Sequence, residues 1–302
     1  MTPLRTRFAP SPTGQLHLGH VAAMAYVWGL ASRHGAAVDL RIEDHDRERC
    51  RPEYTAELES TLDWLGFRPL SGGQHIVQST RAARFEQALA RLRDQQLVYV
   101  CRCSRKDLLP ARDASSERVY PGKCRELNLP ESPGTVLRVR LPADTVEFYD
   151  GRHGWQSQQP AAQCGDPVIR DRLGQWTYQF AVVVDDLEDY INWIIRGDDL
   201  LTSTARQLLL ARYLGRTTPL HVFHHPLIVN PDGSKLSKRD QAAPLADLRR
   251  QGLSPNEIIG LAVRRCGLSN VTGAIDVADL AGLCAAWGSE QLFAHPFVFD
   301  GA

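Results

Sequence analysis

The chain has no stretch of about 18 consecutive apolar residues, so nothing in it reads as a membrane-spanning helix. Its start, Met1-Thr2-Pro3-Leu4-Arg5, leads into a strand-like segment with no apolar signal core, which points to a cytoplasmic protein with no membrane partner. It has no excess charge of either sign. Its 35 Lys and Arg balance 35 Asp and Glu, for a formal net charge of +0, which excludes binding to nucleic acid through overall charge and leaves any RNA contact to local arginine patches. It also lacks a regular cysteine framework: Cys50, Cys101, Cys103, Cys124, Cys164, Cys266 and Cys284 are odd in number and unevenly spaced, which argues against structural disulfides. There is no G-x-x-x-x-G-K-[ST] loop, no internal repeat and no low-complexity segment. What remains is an ordinary globular composition, 43% hydrophobic and 23% charged over 302 residues, enough for one large domain or two to three subdomains.

Strand and helix signals alternate through the first hundred residues. Arg5 to Ala9 reads as a strand, and Pro10-Ser11-Pro12-Thr13-Gly14 as a loop, because its prolines and glycine cannot continue a helix. Val21, Met24, Ala25 and Trp28 mark a buried helix over Gly19 to His34, stopped by Gly35. Ala36 to Glu43 reads as a strand, Pro52 to Leu65 as a helix, His75 to Gln78 as a strand and Arg81 to Gln95 as a helix. This rhythm predicts an α/β fold with a doubly wound parallel sheet. From Tyr99 the character changes, and Thr135 to Leu141 and Val146 to Tyr149 read as antiparallel, inserted strands around an Asp150-Gly151 turn. Tyr190 to Ile195, Thr204 to Leu214 and Leu220 to Phe223 resume the α/β rhythm. After Arg239 only helical patterns follow, at Leu245 to Gln251, Pro255 to Cys266 and Val277 to Trp287. The boundaries expected are a catalytic α/β unit over 1–100 and 191–240, an insertion over 101–190, and a helical C-terminal region over 241–302.

The segment Arg7 to His20 joins the first strand to the first helix, at the sheet edge where ligands bind and where a helix N-terminus favours anions. His17 and His20 bracket Leu18-Gly19 and can face a phosphate, and Gly19 lets the backbone approach a nucleotide. His17-Leu18-Gly19-His20 resembles the "HIGH" signature of class I aminoacyl-tRNA synthetases, and the preceding Arg7-Phe8-Ala9-Pro10-Ser11-Pro12-Thr13-Gly14 is similar to the lead-in of glutamyl-type members. Lys235-Leu236-Ser237-Lys238-Arg239 resembles their "KMSKS" loop, with Leu for Met and Arg for the last Ser. Taken alone, such a basic loop is an ordinary solvated turn. With the first motif it supplies lysines for the negative charge that develops on a leaving pyrophosphate, Lys238 as the ATP contact and Lys235 as its helper. The resemblance implies a Rossmann-type catalytic sheet, ATP binding by His17, Gly19, His20 and Lys238, and magnesium accompanying the nucleotide.

The resemblance also implies an amino-acid pocket. It carries Arg7, Phe8, Ala9, Pro10 and Ser11 to L-glutamate, Glu43 to the α-ammonium and Tyr178 to a hydrogen bond with the substrate. Arg196 in Arg196-Gly197-Asp198-Asp199 matches the arginine used for a substrate carboxylate. Two carboxylates call for two cations, and a neutral glutamine amide would leave Arg196 unpaired, so Arg196 favours glutamate. Glu43 as a capping acid and Tyr178 as a core aromatic are the plain structural alternatives.

Cys101-Arg102-Cys103 and Cys124 offer three thiols, and tetrahedral zinc takes four ligands. No histidine lies between them, and there is no C-x-x-C. Glutamyl-queuosine synthetases, short relatives of glutamyl-tRNA synthetase, carry C-x-C followed by Y-x-x-x-C. That resemblance makes Tyr120 the fourth ligand of a structural zinc in the insertion. Cys50, Cys164, Cys266 and Cys284 read as buried hydrophobes. About sixty residues follow the lysine loop, too few for a typical anticodon-reading domain. The resemblance, which includes Gly197 to Gln207, therefore implies a monomeric enzyme that forms glutamyl-adenylate without tRNA and passes glutamate to the queuosine base of tRNA-Asp. A glutamyl-tRNA synthetase charging a 3′ end and a non-catalytic RNA-binding relative are the rival readings. Arg81, Arg84, Arg91 and Arg93, with Arg102 and Arg105, are candidate phosphate contacts.

Overall fold

The structure is a computed structural model that describes residues 2–46, 48–110, 117–228, 244–267, 272–283 and 289–299. The N-terminal half begins β1 (Arg5–Phe8), α1 (Leu18–His34), β2 (Ala37–Ile42), α2 (Pro52–Leu65), β3 (His75–Val77) and α3 (Ala82–Asp94). β1, β2 and β3 form one parallel sheet in that order, with Arg5 opposite Ala37 and Leu40 opposite His75. α1 stops at Gly35, whose left-handed φ of 65° lets its N–H reach the carbonyls of Ala31 and Ser32.

The chain continues through β4 (Val98–Cys101), β5 (Val136–Val139), β6 (Val146–Asp150), β7 (Gly154–Gln158), α4 (Pro160–Gln163), β8 (Val168–Arg170) and α5 (Tyr178–Glu188). β9 (Trp193–Gly197), α6 (Thr204–Tyr213) and β10 (His221–His225) follow, and then α7 (Leu245–Arg250), α8 (Pro255–Arg265) and α9 (Leu280–Leu283). A second sheet has the order β7-β6-β10-β9, with β9, β10 and β6 parallel and β7 antiparallel to β6. The two sheets meet where Asn192, just before β9, donates its backbone N–H to the carbonyl of Arg5, and its side-chain oxygen accepts from the Arg5 N–H. β4, β5 and β8 form a separate antiparallel sheet.

The expected helices and strands of the first hundred residues stand within two residues of their predicted ends. The middle of the chain holds more than the sequence reading foresaw. β6, read as an inserted antiparallel strand, pairs in parallel with β10 as well as antiparallel with β7. α5 was not anticipated, because Ala181-Val182-Val183-Val184 has strand character. At the end of the chain, Val277–Asp279 forms a 3-10 turn and α9 reaches Leu283; residues 284–287 of the predicted last helix, Cys284 among them, lie outside the described residues.

Apolar side chains pack on both sides of the parallel sheets. Val38, Leu40 and Ile42 of β2, with Trp193 and Ile195 of β9, join α1, α2 and α8 in one core. Ile194 points the other way, into a core with α3, α5 and α6. That second layer is different under β1 and β2, where alternation turns Arg5, Arg7, Asp39 and Arg41 away from the first core. α5 covers this charged face and supplies its counter-charges.

Candidate active site

His17 is the N-cap of α1. Its Nδ1 accepts from the Gly19 N–H at 3.1 Å, and His20 Nδ1 accepts from the His17 N–H at 3.1 Å, so the two imidazoles build a reciprocal capping box. With Nδ1 as acceptor, each neutral ring carries its proton on Nε2 and can donate it to a phosphate oxygen. The ring centroids lie 4.1 Å apart. A Cβ at Gly19 would meet His17 Cε1 at 2.8 Å, so any larger residue there would displace the His17 ring. Lys235 and Lys238 lie outside the described residues. The described chain leaves at Ile228, packed in the core of α1, and on its return Leu245 donates its N–H to the carbonyl of Leu16, next to His17.

The carboxyl ends of β1, β2 and β9 and the first turn of α5 bring Arg7, Glu43, Tyr178 and Arg196 together. Arg7, Glu43 and Arg196 are buried. Burial holds the Tyr178 hydroxyl above its ordinary pKa, with Arg196 and Arg7 opposing and Glu43 and Asp186 reinforcing that shift. Glu43 is fixed from both sides: its N–H bonds the carbonyl of Pro10, and its Oε1 accepts from Arg41 Nη2 at 3.0 Å. The sequence reading missed Asp186, which bridges two buried cations by accepting from Arg7 Nε at 2.9 Å and Arg41 Nη1 at 2.7 Å. Its burial would raise its pKa, but the arginines more than offset that and hold it below the usual carboxylate range. Asp185, one residue earlier, has no such bridge, and burial pushes it up to about 6. The only sequence signal for this pair was an Asp-Asp doublet ending an apolar run.

Arg196 is held differently. Its Nε donates to His224 Nε2 at 2.9 Å, Nη1 to Gln207 Oε1 at 2.5 Å and Nη2 to Thr204 Oγ1 at 2.8 Å. All three acceptors are uncharged, and among the described residues Arg196 has no carboxylate within ion-pair distance. His224 is kept neutral because burial lowers its pKa to about 4, while Asp150 Oδ2 accepts from its Nδ1 at 2.7 Å. Burial also lowers the pKa of Arg196. A buried guanidinium fixed in place, with no carboxylate among the described residues to pair it, can take up an anion. His224, Gln207 and Thr204 were not foreseen as its partners. Phe8, Ala9, Pro10 and Ser11 form the end of β1 and the loop after it.

Three of the six arginines proposed for RNA phosphates have carboxylate partners: Arg81 and Arg84 both donate to Asp189, at 2.6 and 3.1 Å, and Arg93 to Glu131. A cleft of about 600 Å³ opens beside the site, lined by Asp44, Arg51, Thr55, Glu59 and Ser79; none of the pocket residues above lines it.

The cysteine cluster stands apart, around β4 and the loop over Tyr120 and Cys124. The thiol sulfurs of Cys101, Cys103 and Cys124 lie within 4.8 Å of one another, with Cys103 and Cys124 at 3.5 Å. Tyr120 Oη accepts from the Cys124 N–H at 2.8 Å and lies 3.6 Å from Cys101 Sγ. Burial and the neighbouring thiols push Cys103 up to about 12. Burial also opposes ionisation of Cys124, but the Arg102 N–H and surrounding hydrogen bonds outweigh it and lower its pKa. One thiolate can thus be shared, whereas several need a cation. Three soft thiols and a phenol oxygen converging from the end of β4 and the loop over Tyr120 and Cys124 suit a four-coordinate metal such as zinc.

The sequence matches the family of class I tRNA synthetases (E and Q), catalytic domain, over residues 3–293. The chain belongs to that family, and it is an enzyme of the ligase type. It is 40% identical over 296 residues to the glutamyl-Q tRNA(Asp) synthetase of Burkholderia mallei, covering 95% of this chain and 97% of that one. Its identity to the protein of the same name in Geobacter sulfurreducens is 42% over 257 residues, covering 83% and 81% of the two chains. A glutamate–tRNA ligase of Frankia casuarinae is 39% identical over 252 residues, and the match spans 83% of this chain and 53% of that one. In structure, the chain superposes on a glutamate tRNA ligase from Elizabethkingia meningosepticum with a TM-score of 0.75 at 24% identity, covering 99% of this chain and 66% of that chain, which shows the shared fold. Membership brings ATP with magnesium, glutamate activation and a tRNA-related role. Among the described residues no helix is long and apolar enough to cross a membrane.

Proposed function

We propose that the enzyme activates L-glutamate with ATP in the absence of tRNA and transfers it to the queuosine base in the anticodon of tRNA-Asp. The observation that carries the glutamate reading is the buried Arg196, held by three neutral acceptors and without a carboxylate among the described residues. The side-chain carboxylate of glutamate completes that ion pair, and a glutamine amide does not. Glu43 receives the α-ammonium, Tyr178 donates to the substrate, and Arg7 lies on the β1 side with Phe8, Ala9, Pro10 and Ser11 forming the wall. An α-carboxylate oxygen attacks the α-phosphorus of ATP, and the bond to the bridging oxygen breaks to release pyrophosphate. His17 and His20 donate to phosphate oxygens as charge builds, and Lys235 and Lys238 serve the leaving group. Both described flanks of the lysine segment, Ile228 and Leu245, pack against the α1 region, which supports that role. An acceptor hydroxyl then attacks the acyl carbonyl, AMP leaves and the hydroxyl proton is lost. Magnesium accompanies ATP.

Cys101, Cys103, Tyr120 and Cys124 would hold a structural zinc. With every position taken by protein, the ion would order the loop and stay out of the chemistry. The acceptor assignment draws support from the relatives named glutamyl-Q tRNA(Asp) synthetase that this chain matches over nearly their full length. The relative named a glutamate–tRNA ligase favours a rival, charging of a tRNA 3′ end. Glutamate-dependent exchange of labelled pyrophosphate into ATP, measured without tRNA, tests activation; no exchange overturns it. Labelled glutamate offered to queuosine-containing tRNA-Asp and to tRNA-Glu tests the acceptor, and charging of tRNA-Glu alone installs the rival.

A further inference from the structure

The β6–β7 hairpin forms the free edge of the four-stranded sheet, and it carries an aromatic cluster that the pocket does not use. Trp155 is 65% exposed. Its ring packs at 5.7 Å, edge to face, against Tyr149, its partner in the strand register, and at 5.5 Å against His295. Tyr149 and His295 are themselves 4.9 Å apart, and the Tyr149 hydroxyl lies 3.2 Å from Gln291 Oε1. Two rings thus brace an indole whose remaining surface faces solvent. A Trp this exposed leaves much of its apolar ring in water, and a braced ring forfeits little side-chain entropy on receiving a partner.

The hairpin is tied to the active-site edge. Asp150, its last β6 residue, holds His224, the neighbour of Arg196. Arg152 and His153 in the turn both bond the carboxylate of Asp198, two residues after Arg196. β7 lies three strand spacings from β9, about 14 Å across the sheet.

We propose that Trp155, braced by Tyr149 and His295, is a stacking platform for an unpaired nucleotide of the RNA loop that presents the acceptor. The proposal rests on the reading of the acceptor as a nucleotide in a tRNA loop. The local charges favour a base over a backbone phosphate: the turn's Arg152 and His153 are already paired with Asp198, and exposed Glu147 precedes Tyr149 by two residues on the same face. Stacking tolerates any base, since each has a π-face, and it requires that the base be unpaired.

The test compares wild type, Trp155→Ala and Trp155→Phe in three measurements. Pyrophosphate exchange with glutamate should stay within about twofold in all three. Binding of a 17-nucleotide RNA hairpin with a seven-nucleotide loop should weaken between about 5-fold and 100-fold in Trp155→Ala and recover in large part in Trp155→Phe. A blunt duplex RNA of equal length should show no dependence on residue 155. Equal hairpin affinity in wild type and Trp155→Ala, or an equal loss on the duplex, overturns the proposal. A concentration-dependent dimer in sedimentation, lost in Trp155→Ala while hairpin binding is kept, assigns the patch to a second copy of the chain and also overturns it. Absent pyrophosphate exchange in wild type defeats the activation reading and leaves the hairpin result to decide the platform.

Discussion

The amino-acid pocket and the cysteine cluster both gather polar groups in buried or half-buried positions, but they are closed in different ways. Around β1, β2 and α5 the chain supplies charges of both signs: Asp186 bridges Arg7 and Arg41, Glu43 pairs with Arg41, and Asp189 takes Arg81 and Arg84. Arg196 is the exception, held in geometry by neutral groups and left with its charge uncompensated among the described residues. The cysteine cluster has donors of one kind only, three thiols and a phenol, and it balances their charge with protons. The first site is therefore preorganised by its own counter-ions with one opening of defined sign. The second gathers thiols of one charge type with no counter-cation among the residues that form it.

The largest expected effect isolates that opening. Arg196→Met should lower kcat/KM for glutamate in pyrophosphate exchange by roughly 1000-fold, the scale of a lost buried ion pair of about 4 kcal/mol. It should change the melting temperature little, because no carboxylate among the described residues pairs with the charge and relief from burying it offsets the three hydrogen bonds lost to His224, Gln207 and Thr204. A marked fall in stability would mean that Arg196 serves the fold and not the ligand. Asp186→Asn should do the reverse and destabilise the protein by about 3 kcal/mol or more, since it removes the carboxylate that pairs buried Arg7 and leaves Arg41 to Glu43 and Asp189. Urea unfolding measures this, and a change below about 1 kcal/mol breaks the picture of a self-closed network.

His224 sharpens the comparison through pH. Its folded pKa is depressed to about 4 against an ordinary 6.5, so below pH 6.5 the unfolded chain binds the proton more readily and stability is lost down to about pH 4. The loss amounts to about 3 kcal/mol from this group. Asp185 works against it: with its pKa raised to about 6, it favours the folded state as pH falls through the same range. The two slopes should nearly cancel in wild type, and His224→Gln should expose the Asp185 slope, becoming more stable relative to wild type as pH falls from 6.5 to 4. Parallel stability curves for the two proteins would remove His224 from the account. The smallest effect belongs to the cysteine cluster, where a strong chelator should lower the melting temperature by roughly 5 °C while the KM for glutamate changes less than twofold. A large KM change would couple the thiol loop to the glutamate pocket and end the contrast between them.

The legible parts of the fold were those set by short-range pattern. The helix over Pro52–Leu65, the glycine stop at Gly35 and the strand–loop–helix around His17 and His20 follow from periodicity, turn chemistry and capping, all of which act within a few residues. The resemblance led to Arg7, Glu43, Tyr178 and Arg196, and the fold brings these four together. α5 escaped because Val182-Val183-Val184 favours a strand in isolation, and burial between β-sheet and α6 overrides that preference. Asp186, Gln207 and His224 escaped as well, since a buried polar residue is defined by its partners, and Asp186 stands 179 positions from Arg7.

The amino-acid order by itself determined the α/β class, the histidine-capped helix start and the inventory of thiols and arginines, because each depends on neighbours along the chain. Tertiary structure alone decided which charges cancel. Asp186 and Glu43 together neutralise Arg7 and Arg41, and no carboxylate among the described residues reaches Arg196 at ion-pair distance. Coulomb attraction and desolvation depend on distance and burial in three dimensions, and no local pattern encodes either one.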